Sequence, residues 1–135
     1  MQIQILLLLR QLQQELGMAM VFVTHDMGVA AEISDRVAVM YAGRFVEAGT
    51  AWQIIRDPRH PYTAGLLHST LQTGRRGGAL EVIPGTPPDL AALGPGCAFA
   101  PRCRWADASC GTADPPVVAR EAGGLVRCVR AAVAG

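Results

Sequence analysis

A run of six consecutive apolar residues near the start of the chain, Met18–Val23 ("MAMVFV"), most constrains the fold. A strand with one wet face alternates apolar and polar side chains, whereas a strand of a parallel sheet is covered on both faces and is apolar throughout. Upstream, apolar side chains recur every three or four positions from Ile5 to Leu16, which predicts an amphipathic helix capped at Gly17. A helix followed by a fully buried strand is half of a βαβ unit. The sequence therefore predicts an α/β fold on a parallel sheet.

The residues that follow predict further short elements. Asp26–Ile33 has the pattern of a short helix, and residues 36–49 alternate well enough for two strands joined by a tight turn. Thr50 and Gln53 have the spacing of a capping box that opens a helix. Residues 62–71 predict one more helix. The first 72 residues thus predict one continuous α/β unit.

Composition changes at residues 73–79 ("TGRRGGA"), after which Pro, Gly and Ala dominate and periodicity fades. All four cysteines and most of the prolines lie in this second part. We therefore divide the chain into a domain at 1–72, a linker at 73–82 and an extension at 83–135. The composition of the extension predicts a loop-rich structure that is stabilised by something other than a large apolar core.

Charge and hydropathy exclude several classes of protein. The net charge of +1 lacks the basic excess of a chain dedicated to nucleic acid or anionic membrane, so no nucleic-acid partner is expected. The apolar run at 5–9 is too short to cross a bilayer and has no signal-peptide flanks, which makes the cytosol the default compartment. All twelve basic residues are arginine. A phosphate-binding loop that needs a lysine is therefore absent from this sequence.

The stretch "VFVTHDMG" at 21–28 places His25 at the carboxyl end of the predicted strand, where open α/β sheets bind their ligands. An imidazole there can donate a hydrogen bond to a phosphate oxygen or an attacking water while the protein holds its other nitrogen. The plainer alternatives are a surface histidine without a ligand and, for Asp26, an N-cap of the following helix. Both alternatives stay open at this point.

The longer run from residue 17 to residue 50 resembles the last part of an ABC transporter nucleotide-binding domain, with His25 at the place of the switch histidine. "DPRHPYTAGLL" at 57–67 and "IPGTPPDL" at 83–90 resemble the C-terminal extension of ATPase subunits of oligopeptide, dipeptide and nickel importers. The resemblance implies the C-terminal half of an ABC-type nucleotide-binding domain followed by a small, loop-rich, cysteine-ligated extension.

The same resemblance implies a function and a set of partners. The family's subunit energises import from the cytoplasmic face of the membrane, bound peripherally to permease subunits and to a second ATPase subunit. A periplasmic or lipoprotein solute-binding protein takes part indirectly. ATP with Mg²⁺ would be the ligand, and His25 the catalytic residue that senses the γ-phosphate, with Asp26 positioning its loop.

Three elements of that family are not found in this sequence: the P-loop with its lysine, the "SGGQ"-like signature and the apolar strand ending in Asp-Glu. In the family all three precede the first helix of this chain. We therefore expect a fragment of a longer subunit that does not hydrolyse ATP alone. Without flanking strands the apolar run at 18–23 would form an unpaired edge, so poor solubility is expected.

The four cysteines are an independent signal. They are separated by five, six and seventeen residues, and four thiolates can complete one metal site. The pattern resembles that with which peptide-importer ATPases hold a 4Fe-4S cluster, with arginines nearby to offset its charge. Zinc, two disulfides and unliganded thiols remain as alternatives, although the tight Cys-x-x-Cys of many zinc sites is absent. A free-standing iron-sulfur or zinc module without ATPase activity is the alternative function. The residues concerned are Cys97, Cys103, Cys110 and Cys128, and the arginines are Arg102, Arg104, Arg127 and Arg130.

Overall fold

The computed structural model describes residues 2–72 and 82–131, so the linker expected at 73–82 lies almost wholly outside the described residues. The described part is a mixed α/β structure, with four short 3₁₀ turns besides its helices and strands. The helices are α1 (Gln2–Leu16), α2 (Met27–Ile33), α3 (Ala51–Arg56) and α4 (Pro61–Gln72), and the strands are β1 (Arg36–Tyr41), β2 (Arg44–Thr50), β3 (Val117–Arg120) and β4 (Gly124–Arg127).

The sheet in the described residues has the order β1-β2-β4-β3, and every neighbouring pair is antiparallel. The expected parallel sheet is therefore wrong for this part of the chain. β1 and β2 form the predicted hairpin, joined through Ala42 and Gly43, both of which have positive φ (49° and 76°). Two positive φ values in a two-residue loop match the twist of an antiparallel pair.

The C-terminal strands complete the same sheet. β4 pairs with β2 through Glu47 opposite Val126, and β3 pairs along β4. Arg36, at the start of β1, donates to the carbonyls of Ala122 and Gly123 at 2.9 and 2.8 Å. The cysteine-rich part is thus tied to the first half by strand pairing and by a side-chain bridge.

The apolar run at 18–23 does not form the predicted strand. It is extended chain without sheet pairing, and Val21 and Val23 are 93% and 91% exposed. The run lies beside no strand among the described residues, so its backbone has no ladder to join and its side chains have no layers to cover them. The helix before it is as predicted: Gly17 has a φ of 63°, and the Met18 N–H donates to the Gln13 carbonyl, a Schellman end.

The core lies between the sheet and helices α3 and α4. The capping box is confirmed, because the Gln53 N–H donates to the Thr50 hydroxyl and the Thr50 N–H donates to the Gln53 side chain. An aromatic cluster joins the two halves of the chain, with ring centroids 4.6 to 5.4 Å apart, within the range of favourable edge and tilted contacts. Its members are Tyr41, Tyr62 and Phe99. The buried apolar residues of this core are Met27, Val39, Tyr41, Val46, Ile54, Leu67 and Phe99.

Candidate functional site

His25 lies exposed in the loop that leads into α2. Its neighbour Asp26 is the N-cap of that helix: one carboxylate oxygen accepts from the N–H groups of Gly28 and Val29 at 2.8 and 3.1 Å. The Asp26 N–H in turn donates to the Thr24 hydroxyl at 3.0 Å. The capping alternative for Asp26 is therefore confirmed, and the capped turn holds His25 next to the N-terminus of α2.

The four cysteines converge on one cavity. They come from different places: two flank a 3₁₀ turn, one lies within another, and the last follows β4. All four are free thiols, so no disulfide forms among them. The cavity is lined also by the buried side chains of His60 and Phe99 and by Arg130. The cysteines are Cys97, Cys103, Cys110 and Cys128.

Backbone N–H groups surround three of these sulfurs. Hydrogen bonds from the N–H groups two and three residues downstream favour the thiolate of Cys97 (from Phe99 and Ala100) and of Cys103 (from Trp105 and Ala106). The Arg130 N–H donates to the Cys128 sulfur at 3.2 Å. In each of these loops, backbone N–H groups thus act to lower the pKa of the cysteine thiol.

Burial acts in the opposite direction and is the larger effect. Burial raises the pKa of Cys97, Cys103 and Cys128. The backbone hydrogen bonds lower these pKa values and the neighbouring cysteines raise them, but both effects are smaller than that of burial. Buried thiols whose pKa is raised stay protonated at neutral pH. A bound cation removes that obstacle, because a coordinating thiol is deprotonated outright.

The nearby arginines are mostly engaged elsewhere. Arg127 pairs with Asp114 at 2.8 Å, and Arg102 donates to the Pro84 carbonyl at 2.8 Å. Arg104 stacks over the Trp105 ring. Of the four arginines expected to offset cluster charge, only Arg130 lines the cysteine cavity, and its guanidinium also pairs with Asp107 at 2.7 Å. Three of the four arginines therefore do not line the cavity whose charge they were expected to offset.

No group of three or more His, Cys, Asp or Glu side chains in residues 2–72 and 82–131 lies close enough together to hold one metal ion. The four sulfurs share a cavity but do not converge on a single point. The enclosed space is small, about 10 Å³, which is room for about one water. The four thiols that line this cavity are the donor type that iron-sulfur and zinc groups take.

A buried ionic hub beside this cavity could not be anticipated from the sequence. Glu47 of β2 is fully buried and accepts from the N–H groups of Arg59 and His60 at 2.7 and 2.9 Å. Arg120 of β3 donates to the same carboxylate at 2.7 Å and to Asp57 at 3.0 Å. The only signal in the sequence was a glutamate in the middle of β2, between Val46 and Ala48. The hub ties the "DPRHPY" segment to β2 and to the edge strand β3.

His60 is held by this hub and is 1% exposed. Its Nδ1 accepts from the Tyr62 N–H at 3.0 Å, and burial lowers its pKa to about 4, so the ring is neutral at pH 7. Its Nε2 has no hydrogen-bond partner among the described residues. His60 therefore has a role in the packing of this site, where its ring lies against Phe99.

Comparison with known proteins places these features in a family. The sequence profile for the C-terminal region of oligopeptide/dipeptide transporters matches residues 46–110. A putative peptide import ATP-binding protein of Brucella ovis is 52% identical over 96% of this chain. The oligopeptide transport ATP-binding protein OppD of Salmonella typhimurium is 43% identical over 96% of it, and the dipeptide transport ATP-binding protein DppD of Bacillus subtilis is 49% identical over 76%.

These relatives are longer than the chain. It spans 40% of the Brucella ovis protein, 38% of the Salmonella typhimurium protein and 30% of the Bacillus subtilis protein. Within the described residues no helix has the length and apolar character needed to cross a membrane.

Proposed function

We propose that this chain, which belongs to the ATP-binding proteins of ABC peptide importers, provides the C-terminal region of a subunit that powers peptide uptake. The observation that carries the proposal is the 52% identity to a peptide import ATP-binding protein over 96% of the chain. In this function the subunit lies on the cytoplasmic face of the membrane and pairs with permease subunits and a second ATPase subunit. The reported relatives are named for peptides, which favours peptides over nickel.

We propose further that the chain acts as part of a longer or split nucleotide-binding domain. Its first helix and the run after it expose many large apolar side chains, such as Leu8 at 56% and Val21 at 93%. The relatives have more than half of their length outside the matched region. That other part, with its P-loop, is the occupant that would cover this face and bind ATP with Mg²⁺.

In that assembled domain, His25 is the residue that we assign to the γ-phosphate side of the nucleotide. It is exposed, and the Asp26 cap fixes the loop that carries it. A neutral imidazole can orient an attacking water through one nitrogen. Alone, the chain has no lysine for a phosphate cradle, and we expect no ATP hydrolysis from it.

A chimera tests this assignment. The chain replaces the matching region of the Brucella ovis relative, and ATP hydrolysis and peptide uptake are measured with the permeases present. We expect activity comparable to the parent, and a loss of at least about 100-fold for His25→Ala, the low end of what a positioned acid-base group contributes. His68→Ala, at the other exposed histidine, is the matched control. An inactive chimera contradicts the function, and an active His25→Ala chimera contradicts the residue assignment.

We propose that the four cysteines hold a 4Fe-4S cluster with a structural role. Two observations support this: the four thiols share one cavity, and backbone N–H groups favour the thiolates of Cys97, Cys103 and Cys128. A bound cation would also offset the burial that raises the pKa of these three thiols. In a cubane each thiolate binds its own iron, so the sulfurs need not meet at one point. A cluster bound here would supply cross-links between loops that bury little apolar area.

Metal analysis of anaerobically purified chain tests the cluster. We expect near-stoichiometric iron and sulfide with a broad visible absorbance, both lost in Cys103→Ser. Ala113→Ser, which adds a hydroxyl at an exposed position of the same segment, is the control and is expected to keep both. Bound zinc without iron would establish the competing zinc site, and protein without metal would contradict either site.

A further inference from the structure

We propose that the Nε2–H of His60 donates a hydrogen bond to a sulfur atom of the group bound by the four cysteines, next to Cys97. His60 is then a positioning residue that sets the stability and reduction potential of that group. The inference rests on the cluster proposed above and assigns a role to a residue outside its ligands.

The location of His60 supports this role. Its side chain lines the cavity with all four cysteines, and it lines a second, adjoining depression in which Cys97 is the only cysteine. The ring is almost completely buried and lies 5.9 Å from the Phe99 ring, centroid to centroid. Water from outside therefore has little access to it.

The protonation of the ring follows from its hydrogen bonds. Nδ1 accepts from the Tyr62 N–H at 3.0 Å, so Nδ1 carries no proton. A neutral imidazole has one N–H, and here that proton is on Nε2. Nε2 is buried and has no partner in the part of the chain that the structure describes. A buried donor left unpaired is costly, so an acceptor in the cavity is expected.

The ring is also held in place before any ligand binds. The backbone N–H of His60 donates to the buried carboxylate of Glu47 at 2.9 Å, and Pro61 begins α4 directly after it. A fixed donor does not have to be reoriented when the acceptor arrives. Partners outside the ligand set commonly change metal affinity 10- to 100-fold.

The expected effect on a cluster has a definite sign. Reduction adds negative charge to the cluster, and a hydrogen bond to one of its sulfurs stabilises the more negative form. The reduction potential therefore rises when the bond is present, as hydrogen bonding to sulfur is one of the determinants of cluster potential.

Two amide variants separate the two nitrogens of the ring. In His60→Asn the amide oxygen can still accept from the Tyr62 N–H, but no donor reaches as far as Nε2. In His60→Gln the distal amide N–H takes the place of Nε2–H. Midpoint potentials and rates of iron release to a chelator are measured on anaerobically purified chains. We expect His60→Asn to have a lower potential and release iron roughly 10 to 100 times faster, and His60→Gln to lie near the wild type.

A measurement on the wild-type chain makes the test independent of how the variants fold. With ¹⁵N-labelled histidine, electron–nuclear double resonance of the reduced cluster should show one histidine nitrogen coupled to the electron spin of the cluster. The absence of that coupling overturns the inference. Two other outcomes also overturn it. One is that the wild type and both variants have equal midpoint potentials and iron-release rates. The other is that His60→Asn and His60→Gln lower the potential and speed iron release by the same amount. Iron-free wild-type protein refutes the cluster itself, and this inference with it.

Discussion

Residues 2–33 and residues 36–127 differ in how far their apolar side chains are buried. In the first region only Leu6, Met27, Ala30 and Ile33 are buried apolar residues, while most large side chains of α1 and of the run after it face solvent. In the second region a small sheet, two helices and the cysteine loops close around one cluster, to which the first region contributes Met27. The first region has the more apolar sequence, and the second has the better-packed core.

Polar groups explain much of the difference. The second region buries a carboxylate, Glu47, whose oxygens receive two backbone N–H groups and an arginine. Those bonds join β2, the segment before α4, and β3, which are far apart in sequence. The ion pair that the first region makes in the described residues, Arg10 to Asp35 at 4.0 Å, reaches only the residue before the second region, and the Asp35 side chain is exposed. Apolar content alone thus does not predict which part of this chain is self-contained.

Removal of the buried carboxylate should have the largest effect. Glu47→Ala leaves the N–H groups of Arg59 and His60 and part of the Arg120 guanidinium without an acceptor. We expect the free energy of unfolding to fall by about 3–5 kcal/mol, the usual loss when one partner of a buried pair is removed. Urea unfolding measures it. Glu15→Ala, in the exposed face of α1, should change it by less than about 0.5 kcal/mol. Similar values for the two variants would erase the contrast between the regions.

A single methyl group at Gly96 should damage the cysteine loops. A Cβ there would lie 2.6 Å from Cα of Gly111, backbone against backbone, where Cys97 N–H donates to the Cys110 carbonyl at 2.7 Å. Forced overpacking of this kind costs about 1–3 kcal/mol. Thermal unfolding of Gly96→Ala measures the loss. Gly94→Ala, where a Cβ meets nothing within 4 Å, is the matched control. If both variants unfold alike, the two loops do not pack as described.

The helix cap in the first region should have an intermediate effect. Asp26→Ala removes the acceptor for two N–H groups at the start of α2 and should cost about 1 kcal/mol. Asp26→Asn keeps an oxygen at the same place and should cost little. Urea unfolding, read by circular dichroism at helical wavelengths, measures both. Equal destabilisation by Ala and Asn would show that the carboxylate charge, and not the cap, matters.

The exposed run should be nearly indifferent to polar substitution. In the double variant Val21→Thr/Val23→Thr, two side chains that are 93% and 91% exposed become polar. We expect a change in unfolding free energy within about 0.5 kcal/mol, as is usual for surface positions. Light scattering should show less self-association, since the apolar patch shrinks. A loss of more than about 1 kcal/mol would mean that the segment is covered in solution.

Local signals in the sequence predicted several elements correctly. The β1–β2 hairpin, the Thr50–Gln53 capping box, the helix end at Gly17 and helix α4 all follow from residues close together in the chain. The cap at Asp26 was one of two readings that the sequence left open. The prediction of a strand at 18–23 was wrong. An apolar run becomes a buried strand only if neighbouring strands and covering layers are present, and the pattern of the run itself does not show whether they are.

The site divides in the same way. The cysteine pattern predicted a four-thiol site, and "VFVTHDMG" predicted a histidine in a loop before a helix, with a ligand-binding and an unliganded role both left open. The pairing of Glu47 with the "DPRHPY" segment joins residues 12 and 13 positions apart, and its contact with Arg120 spans 73. No periodicity records such a pair. Arg127 and Arg102 do not line the cysteine cavity but bind Asp114 and the Pro84 carbonyl, and this is likewise a tertiary outcome.

The sequence by itself determined the short-range features of this protein: its turns, its caps, its hairpin and the family to which its motifs point. These depend on backbone geometry and on hydrogen bonds that neighbouring residues make to each other. Tertiary structure alone decided that the sheet is antiparallel and shared with the C-terminal strands. It also decided which apolar residues are covered and that His60 lines the same cavity as the four cysteines. Such contacts depend on the closure of long loops, whose energy is a property of the whole packed chain.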